Sequence, residues 1–216
     1  RVMVNLSEYE KNILAGNTGI PGDRMAMELV VESAKILGAT SLIPIVSSHV
    51  DGCLYHGDSG VLYCEKLAEN GTQVKIPTTT NVGALNLSKL GQTKLSKEKR
   101  DMAYRLMKVH QEMGCVPTWT CAPYQAGARP SFGQQVAWGE SNAVAFTNSI
   151  LGARTNRYGD FLDIACAISA RAPYYGLHRS ENRTAKLMLD VSNLSNKLLQ
   201  EDAFFPVLGS MVGKLT

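Results

Sequence analysis

Between Arg24 and Leu37 the residues Ala26, Val30, Ala34 and Leu37 recur at helical spacing on one face, and Gly38 ends the run. A stronger stripe, Met102, Leu106, Val109 and Met113, follows Ser96 and stops at Gly114, so a helix capped by the Ser96 hydroxyl is expected there. Shorter helices are expected from Ser7 to about Ala15, with Glu8 and Glu10 in the first turn, from Ser59 to Glu69, from Trp138 to Leu151 and from Phe161 to Ala170. Between them lie apolar runs too short for helices: Ser41 to Ser47, Gln73 to Ile76, Val116 to Thr120 and, late in the chain, Thr184 to Val191. These read as strands. Gln200 to Leu215 is a further apolar segment, interrupted by Pro206. Strands alternating with amphipathic helices predict a layered α/β fold with a largely parallel sheet flanked by helices.

Composition adds mainly exclusions. Of 216 residues 44% are hydrophobic and 19% charged, enough apolar content for a core. The net charge of +3 is spread along the chain and interleaved with acids, which is not the basic stripe of a nucleic-acid-binding protein. No stretch reaches the roughly 18 apolar residues that span a bilayer, and nothing resembles a signal peptide. A cytoplasmic location is therefore expected, with neither nucleic acid nor membrane as partner. The five cysteines, Cys53, Cys64, Cys115, Cys121 and Cys166, form no CxxC pair, so they spell neither a disulfide framework nor a complete zinc site. Most are expected to be buried thiols.

Open α/β sheets bind ligands at the carboxyl ends of their strands. The residues after the first three expected strands are polar: Ser47, Ser48, His49 and Asp51; then Thr78, Thr79, Thr80 and Asn81; then Cys121, Tyr124 and Gln125. Three such exits would converge on one crevice. The serines and threonines also have a plain use as caps and turns, and His49 and His56 as surface histidines. Cys121 stands before Ala122-Pro123 at an exit, where a thiolate faces a cleft and suits iron or an iron-sulfur cluster better than magnesium. One cysteine cannot hold such a centre, so further ligands are required. Glu140, Ser141 and Asn142 open an expected helix, and Arg154 and Arg157 follow it. Arg154 either clamps a substrate carboxylate through paired hydrogen bonds or pairs with a structural acid such as Glu140.

The ordered set of these motifs resembles aconitase X, the compact branch of the aconitase superfamily. The resemblance runs through Leu42-Ile43-Pro44-Ile45 with Ser48-His49-Val50, Val74-Lys75-Ile76-Pro77-Thr78-Thr79 with Asn81, and Thr120-Cys121-Ala122-Pro123-Tyr124. It continues through Ala137-Trp138-Gly139-Glu140-Ser141-Asn142-Ala143-Val144, Asn148 to Arg157, and Tyr175-Gly176-Leu177-His178. Order and spacing agree over nearly the whole chain.

The resemblance implies a hydro-lyase that dehydrates a small hydroxy acid on an iron or iron-sulfur centre, a two-iron, two-sulfur cluster included. A smaller swivelling domain or subunit closes the site and, by analogy with the superfamily, carries a serine base. Cys121 matches the family's first metal-binding cysteine; the others have no counterpart here. Residues 1–216 are therefore expected to be the N-terminal lobe of the large domain, an incomplete part of a larger enzyme. Ser48, His49, Thr79, Asn81, Glu140, Ser141, Asn142 and Arg154 are the expected substrate-binding residues. The stretch from His49 to Gly57, with Gly83, is similar to bacterial forms acting on cis-3-hydroxy-L-proline; archaeal forms act on mevalonate 5-phosphate. The competing reading is a metal-free binding or scaffolding lobe.

Overall fold

A computed structural model describes residues 2–52, 57–83 and 85–215. Cys53 and His56 lie outside them. The chain divides into a unit of residues 1–182 and a second unit of residues 183–216.

In the first unit, helix α1 (Glu8–Leu14) starts at a capping box: the Ser7 hydroxyl accepts from the Glu10 amide, and the Glu10 carboxylate accepts from the Ser7 amide at 2.7 Å. The other Glu10 oxygen accepts from Arg171 at 2.8 Å, so the cap also ties α1 to the far end of the unit. Helix α2 (Pro21–Ile36) starts on a proline, whose missing N–H would have been unsatisfied there in any case. Its apolar stripe buries Ala26, Val30 and Ala34, whereas Leu37, expected on the same face, lies outside the last turn and is exposed.

Strand β1 (Leu42–Pro44) pairs antiparallel with β6 (Arg171–Pro173), forming a small separate sheet. The main sheet has the order β4-β3-β2-β5 and is parallel throughout: β2 (Ser48–Gly52), β3 (Thr78–Val82), β4 (Val116–Pro117) and β5 (Ala137–Trp138). The expected parallel sheet is present, but of its strands only β4, within Val116 to Thr120, lies where an apolar run placed it. Ser41 to Ser47 supplies only β1 and a crossing segment. Gln73 to Ile76 joins no ladder; Val74 and Lys75 donate to the carbonyls of Met113 and Ala167. The central strands are the polar stretches read as exits, caps and turns. Threonine suits a pleated surface well, and strand position depends on what covers each face more than on overall hydrophobicity.

Helices α3 (Asp58–Glu69), α4 (Lys97–Glu112) and α6 (Leu162–Ser169) join α2 in one continuous core with β2. The Ser96 hydroxyl caps α4, and Leu106, Val109 and Met113 are buried as the stripe required. Every residue of α6 from Asp163 to Ser169 is buried, because α6 lies between β2 and α2. Ile164 and Ile168, both fully buried there, contribute roughly 1.5–3 kcal/mol each.

The helix expected from Trp138 starts only at Ser141: α5 spans Ser141–Phe146 and runs into a π turn, Thr147–Leu151. Trp138 belongs to β5, and Ile150 is exposed. In the second unit the strand expected from Thr184 to Val191 does not form. Leu187, Met188 and Leu189 are exposed, and an apolar run without a neighbouring strand has no ladder to join. That unit holds α7 (Asn196–Leu199) and α8 (Phe204–Leu215). Among the described residues no helix is long and apolar enough to cross a membrane.

Candidate functional site

Successive side chains of a strand point to opposite faces, and β2 and β3 lie in register, Ser48 opposite Thr78 and His49 opposite Thr79. One face therefore presents Ser48, Val50, Thr78 and Thr80 to the core. The other presents His49, Asp51, Thr79 and Asn81. On this second face the Thr79 hydroxyl lies 2.7 Å from His49 Nδ1, and His49 Nε2 lies 3.6 Å from Glu140 Oε1.

Glu140 reaches this position through two local features. Gly139 donates to the His49 carbonyl at 2.8 Å, and a Cβ at residue 139 would come within 2.6 Å of Asp51 Cβ, so only glycine lets the backbones approach. Glu140 itself sits at φ +65°, a conformation that costs a non-glycine residue about 1–3 kcal/mol. The neighbouring loop carries a second such residue, Trp119 at φ +48°, two positions before Cys121.

Asn81 joins the two loops. Its amide donates to Glu140 Oε1 at 2.7 Å and to Cys121 Sγ at 3.2 Å. The Asn142 amide donates to the Cys121 carbonyl at 2.8 Å, and Tyr124 stacks on Phe146 with ring centroids 3.8 Å apart, so the Cys121 loop is fastened to α5. Glu140 Oε2 and His49 Nε2 are buried without a hydrogen-bond partner. Burial by itself would raise the Glu140 carboxyl, but His49, Asn81 and Cys121 outweigh it and hold the group below the usual carboxylate range. The Cys121 thiol is pushed up, first by its hydrogen bond to Glu140.

The structure thus brings together His49, Thr79, Asn81, Cys121, Glu140 and Asn142. His49, Thr79 and Asn81 stand on the sheet face, whereas Cys121, Glu140 and Asn142 come from the segments that follow the carboxyl ends of β4 and β5, so the crevice expected from exits forms in part. Ser141 is exposed in the first turn of α5. Ser48 points the other way, its buried hydroxyl donating to the Ala137 carbonyl at 2.7 Å, so it does not join the cluster. Arg154 is bonded to the His178 carbonyl and, at 2.8 Å, to Ser180 Oγ, so the alternative pairing with Glu140 does not form. The guanidinium beside the cluster is Arg157, 3.9 Å from Asp51, a residue named in the sequence but not singled out. Pairing of Arg157 with Trp138 across β5 is what puts it there, and helical spacing could not show it.

Of the cysteines, Cys64, Cys115 and Cys166 are buried as expected and Cys121 is exposed. Among the described residues no group of three or more His, Cys, Asp or Glu is placed to hold a metal by itself.

A parallel α/β domain thus brings a thiol, a carboxylate and amides together on one side of its sheet. The profile of the aconitase X first domain matches residues 3–181. The chain is 39% identical to a cis-3-hydroxy-L-proline dehydratase of Pseudomonas aeruginosa, covering 97% of this chain and 36% of that protein. It is equally 39% identical to a phosphomevalonate dehydratase large subunit of Thermococcus kodakarensis, covering 97% of this chain and 51% of that protein. The crystal structure of Thermococcus kodakaraensis aconitase X in its holo form superposes with a TM-score of 0.74 at 39% identity, covering 84% of this chain and 45% of that one. The chain belongs to the aconitase X family. It spans about a third to a half of the length of these relatives.

Proposed function

We propose that the complete protein is a hydro-lyase that dehydrates a small hydroxy acid, and that residues 1–216 are the N-terminal lobe of its large domain. The observation that carries this reading is the single hydrogen-bonded cluster joining Cys121, Asn81 and Glu140 on the sheet face that also holds His49. Dehydration requires a base for the proton beside the carboxylate and a Lewis acid for the departing hydroxide.

The donor set fits one corner of an iron centre: Cys121 is an accessible soft ligand, and the unpartnered Glu140 Oε2 belongs to the carboxylate beside it. Cys121 would hold the iron or iron-sulfur cluster together with ligands from outside the described residues. When bound, that centre supplies the Lewis acid. The remaining work falls to this chain's own groups. Asn81 fixes Cys121 and Glu140 relative to each other, and Arg157 and Asn142 flank the cleft as donors for a substrate carboxylate. With Nδ1 engaged by Thr79, His49 keeps Nε2 for a proton shared with Glu140. The base belongs to a smaller swivelling domain or subunit, a partner in keeping with a relative named as a large subunit.

Identity of 39% to both dehydratase types does not choose a substrate. The segment from His49 to Gly57 with Gly83 favours cis-3-hydroxy-L-proline over mevalonate 5-phosphate. An anaerobic assay of the complete protein against both acids, with iron analysis, tests the reading. Turnover of hydroxyproline by an iron-containing protein is expected; a colourless protein that turns over neither would make this a scaffolding lobe.

A further inference from the structure

At the amino-terminal end of β2 and β3, on the face that carries Thr79, lies a cavity of about 300 Å³. Its wall includes Ser47, Thr79, Arg129, Gln134 and Trp138, and no Asp or Glu lines it. That volume holds many times a water's share of about 30 Å³.

Three of these side chains keep donors that the protein does not use. Arg129 donates only Nε, to the Tyr124 carbonyl at 2.8 Å, and among the described residues no carboxylate pairs with its terminal nitrogens. The indole N–H of Trp138 donates to Ser47 Oγ at 3.4 Å, which leaves the Ser47 hydroxyl proton for another acceptor. Gln134 accepts from the Ser131 amide through Oε1 at 2.8 Å, so its NH₂ is the end left over. A guanidinium held by its Nε presents the other nitrogens as a fork, which matches two oxygens of one anion. We propose that this pocket is a binding site for a small oxyanion, a carboxylate or a phosphate, with Arg129 as its cation and Ser47 and Gln134 as supporting donors. Anion binding here does not depend on the dehydratase reading; only the kinetic assignment of the anion's source rests on it. The pocket shares Thr79 with the cleft, the residue whose hydroxyl lies against His49 Nδ1.

Calorimetric titration of the complete protein with inorganic phosphate and with acetate tests the site. Saturable binding is expected for at least one anion, weakened more than tenfold by Arg129→Gln and less by Arg129→Lys, with Arg100→Gln on α4 as a control that leaves it unchanged. In a Trp119→Phe background, phosphate should also change Trp138 fluorescence, and Arg129→Gln should remove that change. If Arg129→Gln melts early, Ser47→Ala and Gln134→Ala must each weaken phosphate binding instead. The anion's source follows from kinetics: an effect of phosphate on hydroxy-acid KM that Arg129→Gln abolishes assigns the pocket to the substrate's own anionic end, and an effect on kcat alone assigns it to a free anion. Wild-type affinity in the Arg129 variants, or no saturable binding by the wild type, overturns the proposal.

Discussion

On the side of β2 that carries Val50, a cysteine, a histidine and a carboxylate, Cys64, His110 and Asp163, are buried around a small cavity of about 50 Å³. On the side that carries His49 the same three residue types recur as Cys121, His49 and Glu140. In the core, burial drives each group to its neutral form. It lowers His110 to about 4, pushes the Cys64 thiol up and raises Asp163 well above the carboxylate range, although Asp163 accepts the Asp51 and Ile164 amides. His110 donates Nδ1–H to the Leu106 carbonyl, leaving Nε2 to face Cys64 Sγ at 3.7 Å. At the cleft the outcome reverses for the carboxylate. Glu140 is also buried, yet it is held ionised by three side-chain partners. The difference shows that residue type does not identify a site; the number and kind of partners around a buried group decide whether it keeps a charge.

The comparison breaks most decisively at the two sets of cysteines. Cys121→Ser in the complete protein should abolish iron binding and turnover while leaving the melting temperature unchanged, because the exposed thiol contributes little packing. Full iron content in that variant would remove the cleft's claim.

Next in size is the pH dependence of the core. Unfolded His110 binds a proton near pH 6.5, whereas the folded group resists until about 4, so below pH 6.5 the unfolded state binds more protons. Stability present above pH 6.5 should fall as the pH drops towards 4, by on the order of 3 kcal/mol. His110→Gln should flatten this slope in denaturation curves taken across that range. An unchanged slope would place the acid sensitivity elsewhere.

Glu140→Gln keeps the shape and removes the charge, so kcat/KM of the complete enzyme should fall about a hundredfold, the low end of what a positioned acid or base contributes. The melting temperature should hardly move; early melting with normal kinetics per folded molecule would make Glu140 structural. Arg157→Lys should cost about tenfold in kcat/KM, roughly 1.4 kcal/mol, by losing the paired geometry of a guanidinium. Arg154→Lys should show itself in the melting temperature, because its contacts are to His178 and Ser180. The smallest effect is expected at Cys166→Ser, about 1 kcal/mol of stability for placing a hydroxyl in a site that suits a thiol, with iron content intact.

The amphipathic helices were legible because their signal is local. The 3.6-residue stripes of α2 and α4, the Ser7 and Ser96 caps and the glycine after α4 each need only a few neighbours, so the sequence by itself determined them, along with the α/β class and the exposure of Cys121 where Cys64, Cys115 and Cys166 are buried. The central strands were not legible. Ser48 to Gly52 and Thr78 to Val82 look like loops until a parallel neighbour supplies the ladder and a helix covers one face, and both come from distant parts of the chain. Because a strand sends alternate side chains to opposite sides, only the tertiary structure decided that Ser48 enters the core while His49 and Thr79 reach the cleft. It likewise exchanged Arg154 for Arg157 as the cation beside the cluster. Pairing register and close backbone approach, as at Gly139, are relations between segments far apart in sequence, and no window of residues contains them.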